Sequence, residues 1–475
     1  MNKIITRIKN KTGNSCDFVY KDFCIDNKKI NLIYNEVLSS SAFISEYIVK
    51  SLVKLKVNKI EFCIINISSL LSGVNKIQLY SFNEIIDYLY KGFCIIICDD
   101  FILAIEARNN LDRSIPTSEV EISLLGPKDS FNERFNDNIG LIRKRLRTSE
   151  LYIDNLELGT LSKTKIGICY MNNIIDRDLL FKVKSKLDSI DIDGIIDTSY
   201  VRKYLSDSKL LPTVNITERP DVASQALLEG KIIIVVDNSP FVLILPTFFV
   251  DYFHTPDDYY EKNINISFIR ILRLIAFIIA IFLPGIYISL TTHNIDVIPS
   301  LLLNNLINQR LSVPFPSFIE CIILLLSFEI LRETDLRIPS KMGTAISILG
   351  GLILGEAAVS AGIVSPIMII VVALSSISGL IFSNISIIYL IRYLRIFIVV
   401  LGTLFGFYGI FLSFIIFIIK LSNLESMDYP YTYPFSPISK IDLKDSIIKC
   451  ETNPKYRNLL LAKKNIERGN FNEKD

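Results

Sequence analysis

The chain changes character near residue 262. Before it, short apolar runs alternate with polar, turn-rich stretches; from there to about residue 424 apolar residues run almost unbroken and charges are sparse. In the first part, IIDYLYKGFCIIICDDFILAIEA (85–107) opens with a helical spacing that stops at Gly92. A β-branched run follows, then the pair Asp99-Asp100 and a second apolar run. ASQALLEGKIIIVVDNSPFVLILP (223–246) repeats that plan: helix, Gly230, strand, the turn Asp237-Asn238-Ser239-Pro240, strand. Glycine suits the left-handed residue that ends a helix, and Asp, Asn, Ser and Pro suit a hairpin. Upstream, INLIYNEV around Tyr34 resembles IGICYMNN around Tyr170, each a strand entering a loop. The reading is an α/β soluble N-terminal region of two similar modules, 15–125 and 126–262, behind a flexible N-terminus at 1–14. Both strand runs are apolar throughout, so each sheet should have helices on both faces or a partner across one.

A helix needs about 20 apolar residues to cross a bilayer's hydrocarbon core. Five apolar segments follow residue 262: Leu274 to Thr292 with Pro284 inside, a segment opening at Pro314 and Pro316, Met342 to Val364, Ile367 to Ile391, and Ile396 to Ile419. They predict an α-helical transmembrane domain at 263–424 with four to five crossing segments, then a polar tail at 425–475. Lys262, Arg270 and Arg273 before the first segment favour a cytoplasmic N-terminal region, and Arg332, Arg337, Lys341, Arg392 and Arg395 favour cytoplasmic loops. Five crossings put the tail outside, whereas one re-entrant segment brings it back; the sequence decides neither.

Composition narrows the function. The 475 residues carry 51 Lys and Arg against 49 Asp and Glu, a net charge of +2, which gives no case for nucleic acid. The basic run Arg143-Lys144-Arg145-Leu146-Arg147 reads as a solvated helix face. The start, MNKIITRIKNKTGNSCDF, has no apolar core of a secretory signal. None of the eight cysteines forms a CxxC pair, and Cys94 and Cys98 read as packed thiols in a buried strand. Two histidines make a histidine-based metal site very unfavourable as a reading. The modules show no phosphate-cradling glycine loop, no Ser/His/Asp set and no defensible pair of catalytic acids. No enzyme, cofactor or metal is expected.

Chemistry concentrates in the apolar part. Glu320 and Glu329 interrupt the second segment, and Glu329, Arg332 and Glu333 are spaced so that one helix face can pair them, with Arg337 close behind. Small residues then recur at every fourth position, Gly343, Ser347, Gly351 and Gly355, and Val359 continues the row. That spacing serves close helix packing or the lining of a polar path. Glu356 stands alone among Gly, Ala, Ile and Val. An ionised acid in lipid costs roughly 2.5–3.5 kcal/mol on insertion scales. It must therefore be protonated and packed, or face water, protein or a cation; the polar path is the favoured reading, with Val359 near a hydrophobic constriction.

PFPSFIECIILLLSFEILRETDLRIP followed by GTAISILGGLILGEAAVSAGIVSP resembles the central signature of the GerA family of spore germination proteins, A subunit. ERPDVASQALLEG, FVLILPTFFVDYFHTPDDYYE, and RSIPTSEVEISLLGPKDSFNE with NIGLIRKRLR resemble its other blocks, in family order from Asp17 to about Phe435. The resemblance implies a subunit of a nutrient germinant receptor that triggers spore germination from the inner membrane of a bacterial endospore. It implies a transporter-like, nutrient-binding B subunit and a lipoprotein C subunit as partners, a homo-oligomer of A subunits in the bilayer, and no catalytic residues. It further implies that such subunits form the ion-conducting part, against the alternative of a non-conducting scaffold and signal relay. By position, Arg332, Glu333, Arg337 and Pro339 match the family's charged loop, Glu320 and Glu329 its two membrane acids, and Arg113, Glu119, Gly126 and Glu133 its soluble-domain motif. Relatives usually carry Gln at Glu356, Ala-Gly at Thr334-Asp335, and Gly at Ser130. Arg113 and Glu133 are expected to hold the loop between Ser114 and Phe131.

Overall fold

The computed structural model describes residues 2–13, 15–25, 28–57, 75–98, 101–109, 116–118, 120–337, 351, 355–449, 456–463 and 465–468. The soluble region is built from two antiparallel sheets with the same strand order. The first contains β1 (Phe18–Ile25), β2 (Lys28–Asn35), β3 (Lys76–Gln78), β4 (Phe93–Cys98) and β5 (Ile102–Glu106), in the order β1-β2-β4-β5-β3. The second contains β6 (Leu151–Leu158), β7 (Thr164–Met171), β8 (Asn215–Thr217), β9 (Ile232–Val236) and β10 (Val242–Leu245), in the order β6-β7-β9-β10-β8. The duplication read from the sequence is thus a duplication of topology, with Tyr34 and Tyr170 on the matching strands β2 and β7. The helix before each central hairpin ends on a glycine in the left-handed region, Gly92 at φ +81° and Gly230 at φ +89°.

Each sheet is covered on both faces. Along β4, Cys94, Ile96 and Cys98 join Leu32, Ile44 and Ile48 on one side, while Ile95 and Ile97 join Phe18 and Leu89 on the other. Period-two alternation with both faces apolar requires such a double cover. Ile8 completes the second side. Residues 1–14, read as flexible, instead contain α1 (Asn2–Lys11), with Ile8 fully buried and Ile4 and Ile5 packed beside it. The three isoleucines share one helical face, and burying a side chain of that size contributes about 1.5–3 kcal/mol. In the second module, α3 (Phe135–Arg145) and α6 (Pro220–Leu228) cover one face. The other lies under α4 (Arg177–Asp188) and α5 (Thr198–Leu205), which start on the side-chain caps Asp176 and Asp197. In the first module, α2 (Phe82–Tyr90) begins with a Ser81–Glu84 capping box, and the helical stretch from Ser41 to Val57 carries Ile44 and Ile48.

A buried ion pair joins the modules. Arg143 on α3 is 0% exposed; its Nε lies 2.9 Å from Asp17 Oδ2 and its Nη2 3.2 Å from Oδ1. Its remaining donors reach Ser15 Oγ and the Thr148 carbonyl, and Tyr90 and Phe18 flank the guanidinium at 5.3 and 5.9 Å. Arg145 pairs with Asp129 at 2.6 Å. The basic run is therefore not a uniformly solvated face: its first arginine faces the neighbouring module.

The helical part contains α7 (Asn263–Thr292), α8 (Ser300–Arg310), α9 (Ser317–Arg337), a short helix at 355–360, α10 (Pro366–Gly379) and α11 (Ile385–Ser422). Among the described residues α7 and α11 are long and apolar enough to cross a membrane. α11 reverses on itself. Gly406 has φ +59° and ψ −144°, and a Cβ on Gly409 would stand 2.1 Å from the Leu401 carbonyl oxygen, an approach impossible along a continuous helix. Leu390, Leu394 and Phe397 of one arm and Ile416 and Phe417 of the other line a shared apolar cavity of about 220 Å³. The two expected segments Ile367 to Ile391 and Ile396 to Ile419 are thus three helical pieces. Their breaks fall at 380–384 and at Gly406, and Arg392 and Arg395 sit inside a helix rather than in a loop. The outer faces remain apolar: Ile264, Phe268, Ile370, Ile377, Tyr408 and Phe411 are each at least 60% exposed.

Candidate functional site

The two acids of α9 are held by different partners. Glu320 is 0% exposed; its Oε2 accepts hydrogen bonds from the N–H and the hydroxyl of Ser365, both 2.9 Å, at the N-terminus of α10. Glu329 forms ion pairs across to α11, 2.9 Å to Arg392 Nη2 and 3.3 Å to Arg395 Nη2. Arg395 also donates to Ser375 and Ser376. Of the expected network of Glu329 with Arg332, Glu333 and Arg337, Glu329 is thus engaged between helices, and Glu333 also has a partner. Arg332 is within electrostatic range of Glu329 and Arg392, and the side chain of Arg337 lies outside the described residues. The reason is geometric: the first arm of α11 packs against α9, which sets Arg392 and Arg395 opposite Glu329.

The small-residue row is only partly in view. Gly343 and Ser347 lie outside the described residues, as do Arg113 and Glu119 of the soluble motif. Among the described residues, a Cβ on Gly351 would touch Leu331 and one on Gly355 would meet nothing within 4 Å. Glu356 is exposed, while Val359 is half-buried against the cluster of Val364, Met368, Leu324 and Leu325. Gly362, at φ +65°, ends the turn beyond them with the Ser312 carbonyl 3.0 Å from its Cβ position.

In the soluble region the loop at 120–131 is pinned by residues the sequence reading passed over. The side chain of Arg219 is fully buried and donates to the carbonyls of Glu121 and Pro127 while pairing with Asp221 at 2.7 Å. Glu218 Oε1 accepts from the N–H groups of Val120 and Glu121, and Asp257 accepts from Ser123 Oγ and Leu124 N–H. Gly126 is required by space: a Cβ there would meet Ser123, Tyr260 and Arg219, all within 2.9 Å. The Glu133 side chain is exposed, and Ser130 donates to the Glu218 carbonyl. Burial pushes the Glu121 carboxyl up to about 7, against hydrogen bonds from Thr217 and the Glu218 N–H. The signal available in the sequence was the adjacent pair Glu218-Arg219 before Pro220, at the head of the block ERPDVASQALLEG.

The C-terminal tail is built into the second module. Phe249 N–H donates to the Tyr431 carbonyl, Thr247 N–H to Ser426 Oγ, Tyr429 to Asp176, and Arg457 to the Leu228 carbonyl. At the root of α7, Asp258 receives Arg270 and Arg273, both at 2.9 Å, and Arg270 also binds Asp445 of the tail. Burial raises the Asp258 carboxyl, but the two arginines outweigh it and hold the group below the usual carboxylate range. A cavity of about 440 Å³ lies at this junction, where Asp251, Asp445 and Glu229 are already held by Lys231, Arg270 and Arg468. Both ends of α11 meet the same module: Asn384 binds Asn215 and Ser386 binds Arg202, each at 2.7 Å, and Leu424 is tied to Tyr431.

Two sheets of one topology, joined to an apolar helical bundle whose returning end clasps the second sheet, define a protein of mixed soluble and membrane character. The family model "Bacillus/Clostridium GerA spore germination protein" matches residues 6–458. Spore germination protein KA of Bacillus subtilis (strain 168) is 34% identical over 457 residues, covering 94% of this chain and 84% of the relative. Spore germination protein GerQA of Bacillus cereus is 31% identical over 466 residues, covering 97% and 92%. A crystal structure of the N-terminal domain of the A subunit of the Bacillus megaterium spore germinant receptor GerK3 aligns with 52% of this chain and 94% of that one. Its identity is 29% and its TM-score 0.41. The chain belongs to the GerA family of spore germination proteins.

Proposed function

We propose that this chain is the A subunit of a nutrient germinant receptor and that copies of it assemble into the receptor's cation-conducting part. The carrying observation is the contrast among its membrane acids. Glu320 and Glu329 are engaged by protein groups, whereas Glu356 is exposed, and no described residue crowds the neighbouring Gly355. An exposed carboxylate on an apolar helix is stable only against water or a polar partner, and a ring of copies around a central path supplies both. Acidic rings favour cations, and apolar rings gate by dewetting; Val359, three residues on, supplies the apolar ring.

α7, at 30 residues, is about 45 Å long and the first arm of α11 about 32 Å, against roughly 30 Å of hydrocarbon. Because both ends of α11 sit on the second module, the tail and the N-terminal region share one side of the membrane, which we assign to the spore core of the endospore's inner membrane. Nutrient recognition falls to a transporter-like B subunit, with a C lipoprotein as third partner. Val359→Ala should widen the constriction and let dormant spores leak cations or germinate without nutrient. Glu356→Gln, which keeps the side chain's shape and removes its charge, should assemble normally with altered cation preference. Dormant Val359→Ala spores that keep their cations like wild type would favour the non-conducting scaffold instead.

A further inference from the structure

The carboxyl of Glu320 is only half satisfied. Its Oε2 takes both Ser365 donors, yet Oε1 is buried with no hydrogen-bond partner among the described residues. The hydroxyl of Tyr287 on α7 is likewise buried, with the Ser365 side chain as its polar neighbour, and it lies within electrostatic range of Glu320. Around them the packing is apolar: Ile288, Leu324, Val364 and Met368 are all 3% exposed or less. A carboxylate oxygen facing such surroundings needs a positive or hydrogen-bonding occupant, because an unmet buried charge costs several kcal/mol. Arg310, within electrostatic range of Tyr287, points its Nη1 at the Thr291 carbonyl, 3.4 Å away.

We infer that the junction of Glu320, Ser365 and Tyr287 is a buried binding site for one monovalent alkali cation, distinct from the exposed Glu356. The donors are all hard oxygens, which suits alkali and alkaline-earth ions rather than soft metals. A single carboxylate charge matches a single positive charge; a divalent ion would leave an uncompensated charge in an apolar interior. Ser365 directly follows the turn that ends the segment carrying Val359, so an ion here ties α9 to that turn and to α10. The site rests on the burial of Glu320 and not on conduction, so it stands or fails separately from the pore.

The test uses the purified full-length chain in detergent. Thermal unfolding is measured in sodium, potassium or lithium chloride against choline chloride at constant ionic strength. The expected result is a saturable rise in the unfolding midpoint with at least one alkali ion. Glu320→Gln, which keeps an acceptor for Ser365, should lose the response, and Tyr287→Phe should weaken the ion's affinity about tenfold or more. Glu356→Gln should retain it. Should Glu320→Gln fail to fold, Tyr287→Phe alone decides the matter. A wild-type chain that melts identically in all four salts overturns the inference, as does an ion response unchanged in Tyr287→Phe.

Discussion

Replacing Arg143 with Ala removes the ion pair on which the two soluble modules meet. Both partners are excluded from water, at 0% and 1% side-chain exposure, so neither bulk solvent nor salt can substitute for the lost partner. Among the described residues, Asp17 would keep the Asn35 side-chain contact at 2.6 Å. Breaking a buried pair from one side costs about 3–5 kcal/mol. At roughly 2–4 °C per kcal/mol for a region of this size, the midpoint of the soluble part should fall by roughly 6–20 °C. The assay is thermal unfolding of the full chain, followed by exposure of the thiols of Cys94 and Cys169, one buried in each sheet. The double variant Arg143→Met with Asp17→Asn should recover most of the loss, because paired removal leaves no orphaned charge. A single variant that melts within a degree of wild type would refute the reasoning. So would a double variant whose loss is the plain sum of the two singles, since that outcome means the residues do not interact.

Three further outcomes follow from the same geometry. The folded Glu121 carboxyl titrates at about 7 against an ordinary 4.5, so the folded state binds the extra proton between those values. Stability should therefore fall as pH rises through that window, by no more than about 3 kcal/mol since the side chain is partly exposed; Glu121→Gln should flatten this slope in pH-dependent melts, and an unchanged slope counts against it. Gly409→Ala should cut the amount of folded subunit in membranes sharply, because its Cβ would collide with the Leu401 carbonyl, whereas normal abundance would mean that α11 does not reverse there. Arg395→Ala should leave Glu329 with Arg392 alone and reduce abundance or activity in spores, and a fully active, fully abundant variant would show the cluster to be dispensable.

Much of the architecture was legible because punctuation is local. Gly92 and Gly230, each followed by an apolar run and a turn, revealed the duplication from spacing alone. Contacts between distant residues were not legible in this way. Arg143 and Asp17 are 126 residues apart, and an arginine beside Lys144 and Arg145 looks solvated until a second module is placed over it. The reversal of α11 was hidden for a different reason. Glycines are common in membrane helices, so Gly402, Gly406 and Gly409 do not by themselves announce a reversal, and Arg392 and Arg395 drew the expected break towards themselves. Of the candidate site, the acids stand out in the sequence against their apolar surroundings, but their partners depend on which helices pack together. Glu320 illustrates this, since nothing near it in sequence announces Ser365.

Cation flux through liposomes carrying the purified chain, with and without partner subunits, tests conduction most directly. The account predicts a flux of monovalent cations that increases in Val359→Ala and changes its ion preference in Glu356→Gln. Liposomes that stay tight with wild type, with Val359→Ala and with the complete receptor exposed to its nutrient would contradict it.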